Sequence, residues 1–519
     1  REFKHRSCGP QDSVQCKNHI LNMKHINLYK IFLLAAIAPI TAACNGDLDI
    51  MQDNKLSASN MWKSSTDVIQ STYGIYERMR SNFVQNDINI FYWGEARVGD
   101  YMWGPSLESR VQDNNMISVR TSTMSSSTSS AGWSRLYTTI DQANAVLKYA
   151  PTVNMTDAER SFATGQAAFA RAYCYFWAAR LWGDVPLNLV PIESTTQPET
   201  YPVRAPKSDV YTQIGKDIAT ALENIKALGT DKYFATADAV NMLKAEYSLW
   251  MYSTQNGGES YLTLASEALE AIGISSDKLM YKYSDIFSRT DKCNKEVIFA
   301  LLNDQKEGLT GGYYNYFYHP NNLIASKYQN DPVPISSTQW WSYSQNFVDI
   351  LEKSKTENHD SRVDCNLGKG EYGASGQTIT WPNKFIGDMS KKPVVLDCDL
   401  LYYRYALAVM MDAELKYYKK DYSGALASLN IIAKRAYGVD NFYKEANRDA
   451  VLSALVNEYF LEFPAEGVIW WALIRLDKIW DYNPALKSMQ ATNKNILLWP
   501  ITASARNKNH KLTQTEGWD

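Results

Sequence analysis

The chain has 519 residues, of which 45% are hydrophobic and 21% are charged, and this composition excludes a wholly disordered or fibrous protein. The 53 Lys and Arg residues nearly balance the 56 Asp and Glu residues, so a formal net charge of −3 argues against a general nucleic-acid-binding surface. The aromatic content is unusual, because 34 Tyr and 15 Trp accompany only 16 Phe. Tyr and Trp can be half buried and half solvated, so their excess predicts aromatic surface that is available to a ligand.

The N-terminal segment predicts an exported, lipid-anchored protein. A basic start at Met23 is followed by an apolar run over residues 31–40 and then by Ala42-Ala43-Cys44. This pattern is typical of a signal peptide, and the apolar run is too short to span a membrane. The position of Cys44 resembles that of the lipidated cysteine of lipoproteins. We therefore interpret residues 23–43 as a lipoprotein signal peptide and residues 1–22 as an upstream extension. The alternative is an ordinary signal peptide with a cysteine near its cleavage site.

The residues after Cys44 show no pattern that is typical of metal or nucleophilic chemistry. The cysteines form no C-x-x-C pair, the histidines form no H-E-x-x-H motif, and no G-x-S-x-G is present. The sequence Asp397-Cys398-Asp399 could bind calcium, but two carboxylates without further ligands lie more often on a charged surface. We therefore predict no catalytic residue, no metal site and no cofactor.

Most of the chain after the signal segment has the periodicity of amphipathic helices. The predicted helices are residues 160–182 and 209–225, the pair 235–252 and 263–272, and the pair 403–419 and 423–436. Small residues recur where the last two helices face each other, as in tetratricopeptide repeats, which stack such helix pairs. The sequence therefore predicts an all-α fold with tetratricopeptide-like helix pairs.

Two long segments, about residues 93–132 and 303–400, interrupt the helical periodicity. They are rich in Gly, Asn, Ser, Pro and Tyr. Long irregular segments are usually either functional or disordered, and the aromatic content of these two disfavours disorder. We therefore interpret them as ordered binding loops on the helical scaffold, and the run Thr121–Ser130 within the first as a solvated loop.

Five sequence blocks resemble the SusD/RagB family, and they occur in the family's order. The first block, Gly165-Gln166-Ala167-Ala168-Phe169-Ala170-Arg171-Ala172-Tyr173 followed by Arg180-Leu181-Trp182-Gly183-Asp184-Val185-Pro186, is similar to the hallmark helix and turn of that family. The later blocks lie at residues 208–217, 403–430, 457–475 and 498–518. The resemblance covers essentially all of residues 44–519, which we treat as one SusD-like domain.

The family resemblance implies a function as well as a fold. Members are all-α outer-membrane lipoproteins at the cell surface, and they bind nutrient oligosaccharides or, in some branches, oligopeptides. They deliver these ligands to a SusC-like TonB-dependent transporter, and they touch the membrane through their lipid anchor only. The resemblance implies binding without catalysis. Two alternatives remain: a glycosidase, which would need two carboxylates about 5–9.5 Å apart, and a helical-repeat structural adaptor.

The resemblance also implies a ligand site in the two irregular segments. Residues 94–103 match a family loop that ends in a stacking aromatic residue, and two further aromatic residues come from the middle of the chain. The resulting candidate ligand-binding residues are Arg97, Asp100, Tyr101, Trp103, Tyr313 or Tyr314, and Trp340 or Trp341. The alternative is that these aromatic side chains hold the loops on the scaffold.

Overall fold

A computed structural model describes residues 61–83, 90–105, 114–225, 231–310, 312–319, 321–328, 339–373, 375–391 and 394–518. Cys44 and the predicted signal peptide lie outside the described residues. None of the described helices combines the length and the apolar character that a membrane span needs.

α-Helices account for most of the regular structure, so the all-α prediction is confirmed. The described helices are α1 (Ser65–Phe83), α2 (Ile90–Gly94), α3 (Asn114–Arg120), α4 (Ser134–Tyr149), α5 (Asp157–Trp182), α6 (Lys207–Ile225), α7 (Ala237–Gln255), α8 (Ser260–Ile272), α9 (Gln345–Asn358), α10 (Val363–Asn366), α11 (Tyr405–Tyr418), α12 (Tyr422–Tyr437), α13 (Arg448–Glu462), α14 (Ile469–Arg475), α15 (Ile479–Tyr482), α16 (Pro484–Gln490) and α17 (Ala503–Lys508).

Short strands form antiparallel two-stranded ribbons between the helices. The described strands are β1 (Trp103–Pro105), β2 (Val297–Leu301), β3 (Trp341–Tyr343), β4 (Gly368–Glu371), β5 (Thr378–Trp381) and β6 (Leu400–Arg404). Strand β1 pairs with β3, β2 with β6, and β4 with β5. The ribbons of β1 with β3 and of β2 with β6 join distant parts of the chain, whereas β4 and β5 form a local hairpin.

The long helix α5 is the centre of the first helix pairs. It begins at a capping box, in which the Thr156 hydroxyl accepts the Glu159 N–H at 3.2 Å and the Glu159 carboxylate accepts the Thr156 N–H at 2.8 Å. It ends at Gly183, whose φ of 71° favours glycine. Nearly every residue from Ala163 to Trp182 is buried, because α5 packs against α4 on one side and α6 on the other.

A buried arginine joins these three helices. Arg171 of α5 donates to the Asp217 carboxylate of α6 at 2.6 and 2.8 Å and to the side-chain oxygen of Asn144 of α4 at 2.8 Å. The remaining helix pairs are α7 with α8 and α11 with α12, which form within a few residues of the predicted ranges. Tetratricopeptide-like pairs therefore build the scaffold, as the sequence predicts.

The segment 303–400 contains more regular structure than its sequence pattern suggests. Helix α9 lies within it, and its first turn is capped by the Ser344 hydroxyl, which accepts the Phe347 N–H at 3.2 Å. The helix buries a narrow stripe of Phe347, Val348 and Leu351, and its other faces are polar. A stripe of only three large apolar residues gives a weak periodic signal, which explains why the sequence predicted no helix here.

A cluster of buried charges lies where the ribbon of β2 and β6 meets α12 and α13. We call it the Glu462 cluster, and its members are Glu296, Asp360, Arg362, Lys384, Arg404, Arg435, Glu458, Glu462 and Glu466. The carboxylate of Glu462 accepts from Arg404 at 2.7 Å, from Arg362 at 3.0 Å, and also from Arg435. Burial alone would raise the pKa of Glu462, but the three guanidinium groups outweigh it and lower the pKa to about 2.

The Glu462 cluster should be costly to disrupt. We predict that Glu462→Gln lowers the free energy of unfolding by about 3–5 kcal/mol, because it leaves buried guanidinium groups with too little compensating charge. The matched control is Asp440→Asn, which breaks the exposed pair of Lys434 and Asp440 and should cost less than about 1 kcal/mol. Chemical denaturation of both variants measures the difference, and equal losses would contradict the assignment.

Candidate functional site

The two irregular segments of the sequence meet at the ribbon of β1 and β3. Trp103 lies opposite Tyr343, and Pro105 lies opposite Trp341. The Ser344 N–H continues the pairing by donating to the carbonyl of Met102 at 3.0 Å. The ribbon therefore brings together the parts of the chain that the sequence analysis selected as binding loops.

Three of the candidate aromatic residues form a buried layer beneath this ribbon. Trp103 has no exposed surface, Trp341 is 1% exposed and Tyr313 is 3% exposed. Trp103 stacks on Phe317 at a centroid distance of 5.7 Å and meets Phe91 edge-on at 4.7 Å. A buried ring has no face for a sugar, so in this structure these three side chains hold the loops on the scaffold, which corrects the stacking role expected of them.

Arg97 is also buried, and its partners are protein groups. Its guanidinium group donates to the backbone carbonyls of Ile496 at 2.6 Å and Leu497 at 2.9 Å, and it lies over the Trp470 ring at 4.7 Å. Burial lowers the pKa of Arg97 to about 9. Arg97 therefore positions the loop that carries it, whereas the sequence analysis expected it to contact a ligand.

Glu95, two residues earlier in the chain, also holds this loop in place. The two oxygens of its buried carboxylate accept the N–H groups of Ala465 at 2.7 Å and Gly467 at 3.0 Å. A Cβ atom on Gly94 would lie 2.0 Å from the carbonyl oxygen of Gly467, so this close approach requires glycine at residue 94. Burial raises the pKa of Glu95 to about 8, although both N–H donors act in the opposite direction.

Asp100 and Tyr101 lie at the surface of this fixed loop. The Asp100 carboxylate is exposed and pairs with Arg120 at 3.0 Å. The half-buried Tyr101 ring meets the Tyr482 ring edge-on at 4.8 Å, and burial raises its pKa to about 12. The Tyr101 carbonyl accepts from the side-chain amide of Asn346 at 3.0 Å. These two candidates are therefore reachable from solvent, unlike Trp103 and Arg97.

Two cavities of about 500 and 480 Å³ meet at Asp100 and Arg120. We call the pair the β1–β3 groove. The lining of the first cavity includes the polar side chains of Gln339, Ser342, Ser344, Gln345, Lys369, Thr378 and Thr380, the apolar residues Pro105, Val348 and Ile379, and the almost fully buried Trp103 and Tyr343. The second is lined by Tyr101, Thr121, Thr123, Asn346, Asp481, Tyr482, Asn483 and neighbouring residues. The groove thus combines hydroxyl, amide and charged groups with apolar and aromatic surface.

Trp340 is the remaining candidate with an accessible ring. It is partly exposed and stacks on Tyr316 at a centroid distance of 3.9 Å and an interplanar angle of 28°. Trp341 is buried, whereas Trp340 directly follows Gln339, which lines the first cavity. Neither Trp340 nor Tyr316 is among the described residues that line the two cavities. The side chain of Tyr314 lies outside the described parts of the structure.

Among the polar and aromatic residues of the groove that the sequence analysis did not identify are Arg120, Asn346 and Tyr482. Arg120 ends α3, Asn346 is in the first turn of α9, and Tyr482 ends α15. They meet through the ion pair of Arg120 with Asp100, the hydrogen bond of Asn346 to the Tyr101 carbonyl and the contact of Tyr482 with the Tyr101 ring. Tyr482 had a usable signal, since it is an aromatic residue inside the turn-forming run Asp481-Tyr482-Asn483-Pro484.

The described residues do not bring together three or more His, Cys, Asp or Glu side chains in a way that could hold a metal ion. Asp397 accepts from Arg289 through both carboxylate oxygens at 2.9 Å. Asp399 pairs with Lys292 at 3.1 Å and accepts from the Tyr233 hydroxyl at 2.8 Å. Both carboxylates considered for calcium therefore have cationic protein partners.

Comparison with known sequences relates both halves of the chain to one family. A family model described as "SusD family" matches residues 314–518, and one described as "Starch-binding associating with outer membrane" matches residues 48–240. The SusD-like protein P38 of Formosa agariphila is 22% identical over 95% of this chain and 99% of its own length.

Solved structures share the fold over most of its length. A SusD superfamily protein from Bacteroides fragilis is similar with a TM-score of 0.74 and 21% identity, over 88% of this chain and all of that chain. A laminarin binding SusD-like protein gives a TM-score of 0.71 and 19% identity with the same coverage. The fold is thus that of a tetratricopeptide-like helical protein with a groove built from inserted loops. The chain belongs to the SusD/RagB-like family.

The raised pKa of Glu95 generates a pH-dependent prediction. The pKa is about 8 in the folded protein against 4.5 for an ordinary glutamate, so folding takes up a proton between these values. The stability that this proton confers is fully present below about pH 4.5 and is lost as the pH rises through about 8. We predict that Glu95→Gln removes this part of the pH dependence.

Urea denaturation between about pH 5 and about pH 8.5 measures this effect as the difference between wild type and variant. Glu77→Gln, which removes an exposed carboxylate, is the matched control and should leave the pH dependence of the wild type unchanged. A Glu95→Gln variant with the pH dependence of the wild type would show that Glu95 does not titrate as described.

Proposed function

We propose that this protein is a cell-surface lipoprotein that binds nutrient oligosaccharides in the β1–β3 groove and delivers them to a SusC-like TonB-dependent transporter of the outer membrane. The observation that carries the proposal is the chemistry of the groove. Its walls present hydroxyl and amide side chains, and aromatic rings lie along it and beneath it. Glycan capture needs this combination, because sugars have both apolar ring faces and many hydroxyl groups.

One aromatic pair lines the second cavity of the groove, and a second pair includes the residue that directly follows Gln339 of the first cavity. The first pair is Tyr101 with Tyr482, and the second is Trp340 with Tyr316. In each pair the two rings are partly exposed and contact one another. Rings that are held in place lose little conformational entropy when a ligand stacks on them. The Asp100 carboxylate and the Arg120 guanidinium group lie where the two cavities meet, and both can hydrogen-bond to sugar hydroxyls.

The comparisons support a glycan as the ligand class. The family description that matches residues 48–240 names starch binding, and one structural neighbour is a laminarin binding protein. Oligopeptide binding within the same architecture is the alternative. A helical-repeat adaptor without a small ligand is a further one. A glycan array and a peptide library, each applied to residues 46–519, separate these three possibilities.

Trp340, which directly follows Gln339 of the groove, provides a test of the proposed site. We predict that Trp340→Ala weakens oligosaccharide binding about fivefold or more, since the stacking of one ring contributes on the order of 1 kcal/mol. The thermal midpoint should change little, because the ring is partly exposed. Isothermal titration calorimetry with an oligosaccharide from the array measures the affinity.

Two control variants separate a ligand contact from a packing effect. Trp341→Ala, one residue along the chain, should instead lose about 3–5 kcal/mol of stability, because its ring is buried. Tyr281→Ala removes an aromatic ring that is 91% exposed and belongs to neither aromatic pair of the proposed site, so it should change neither affinity nor stability. Normal oligosaccharide affinity in a folded Trp340→Ala protein would contradict the proposed site.

The lipid anchor and the transporter are tested together on the native protein. We predict that Cys44 is the first residue of the mature chain and carries the lipid, which tethers the protein to the outer membrane without a spanning segment. Mass spectrometry of the native N-terminus should identify this modification, and affinity purification should recover a large TonB-dependent outer-membrane protein. An unmodified residue 44 would disprove the anchor, and repeated purification without such a partner would disprove the assembly.

A further inference from the structure

A third cavity, of about 610 Å³, shares no lining residue with the β1–β3 groove. We call it the Ser-rich cavity. Its walls come from three separate parts of the chain, residues 126–137, residues 186–202 and residues 502–512. Its volume is within the range of cavities that bind small ligands in proteins.

Hydrogen bonds between the three parts of the chain hold the walls of the Ser-rich cavity together. The Ala503 N–H donates to the carbonyl of Ser126 at 2.8 Å, and the Tyr137 hydroxyl donates to the carbonyl of Pro186 at 2.6 Å. The side-chain amide of Asn509 donates to the carbonyl of Pro202 at 2.7 Å. Each wall is therefore bonded directly to another, and the cavity exists before any ligand enters.

The lining of the Ser-rich cavity has the chemistry of a saccharide site. Apolar surface comes from Trp133, Tyr137, Pro186, Pro202 and Leu512. Polar groups come from Ser126, Ser127, Ser134, Asn188, Thr502 and Ser504, and Lys508 is the one charged side chain among the described lining residues. A lining of hydroxyl, amide and aromatic groups without carboxylates suits a sugar ring better than it suits a charged peptide.

The run Thr121–Ser130 connects the Ser-rich cavity with the groove. Thr121 and Thr123 line the second cavity of the groove, and residues 126–129 line the Ser-rich cavity. The Cα atoms of Thr123 and Ser126 are at most about 11 Å apart, because three residues of chain cannot span more. The sequence analysis treated this run as a solvated loop, whereas the structure places it along both cavities.

From these observations we infer that the Ser-rich cavity is a second saccharide subsite, which binds another part of the glycan chain that occupies the β1–β3 groove. The inference rests on the proposed function, since it takes the groove as the first subsite. A chain that reaches both subsites gains affinity, because binding at the second becomes intramolecular. The protein should therefore bind long oligosaccharides about tenfold or more tightly than short ones.

The test blocks the Ser-rich cavity with a bulky side chain, placed on a different wall in each of two variants. Ser504→Trp and Ser127→Trp each replace an exposed lining residue with a bulky ring, so that a folding defect in one variant does not decide the outcome. The matched control is Asn507→Trp, on the same helix α17, at an exposed position that does not line the cavity. The probes are short and long oligosaccharides of the polysaccharide that gives the strongest signal on a glycan array.

Calorimetry should give the same affinity for short oligosaccharides in all four proteins. For long oligosaccharides, Ser504→Trp and Ser127→Trp should lose the gain of about tenfold, and Asn507→Trp should keep it. Equal affinity for long chains in the wild type and both cavity variants would overturn the inference. The inference would also be overturned if a cavity variant bound glycans normally but no longer co-purified with a protein partner. Trp340→Ala should weaken both probes, so its failure would instead contradict the proposed function.

Discussion

The carboxylate of Glu462, buried among three guanidinium groups, is the interaction on which the position of the candidate site depends. Buried charges are costly unless every one has a partner, so the elements that carry the Glu462 cluster can pack in few other ways. Glu466 belongs to the same cluster, and the backbone N–H groups on either side of it bind Glu95. The carbonyl of Ala465 in that turn also accepts from the Tyr313 hydroxyl at 3.2 Å. Both binding segments are therefore attached to one turn that the charge cluster fixes.

The sequence predicts the scaffold well because its helices carry local signals. Helix α5 has a capping box at Thr156, a continuous apolar surface and a terminating Gly183, all of which can be read within a few residues. The Glu462 cluster has no such signal, since Arg404 and Glu462 are 58 residues apart and Arg362 and Glu462 are 100 apart. The family blocks at residues 403–430 and 457–475 contain several of these charges, but the sequence alone does not show that they are partners.

The same lack of local signals explains why the sequence did not separate buried from exposed candidate residues. Arg97 meets carbonyl groups about 400 residues away, so its buried position could not be predicted from its neighbours, although Ala96 and Val98 beside it are apolar. Trp340 and Trp341 are adjacent and chemically identical, yet the pairing of β1 with β3 turns Trp341 inward. Which of the two rings is buried depends on how the three residues of β3 pair with β1. A sequence pattern of only three residues does not specify such a pairing register.

The site thus has two layers with different physical roles. The buried aromatic layer of Trp103, Trp341 and Tyr313 holds the loops in place, so its substitution should cost stability before it affects a ligand. The side chains on the surface of the groove, such as Ser342 and Asn346, are partly or fully exposed, so their exchange should cost less stability than a change in the buried layer. A fold that is shared with solved structures at about 21% identity is compatible with different ligands in this way. In the proposed function, the lower layer therefore sets where a ligand would bind, and the upper layer would select which ligand it is.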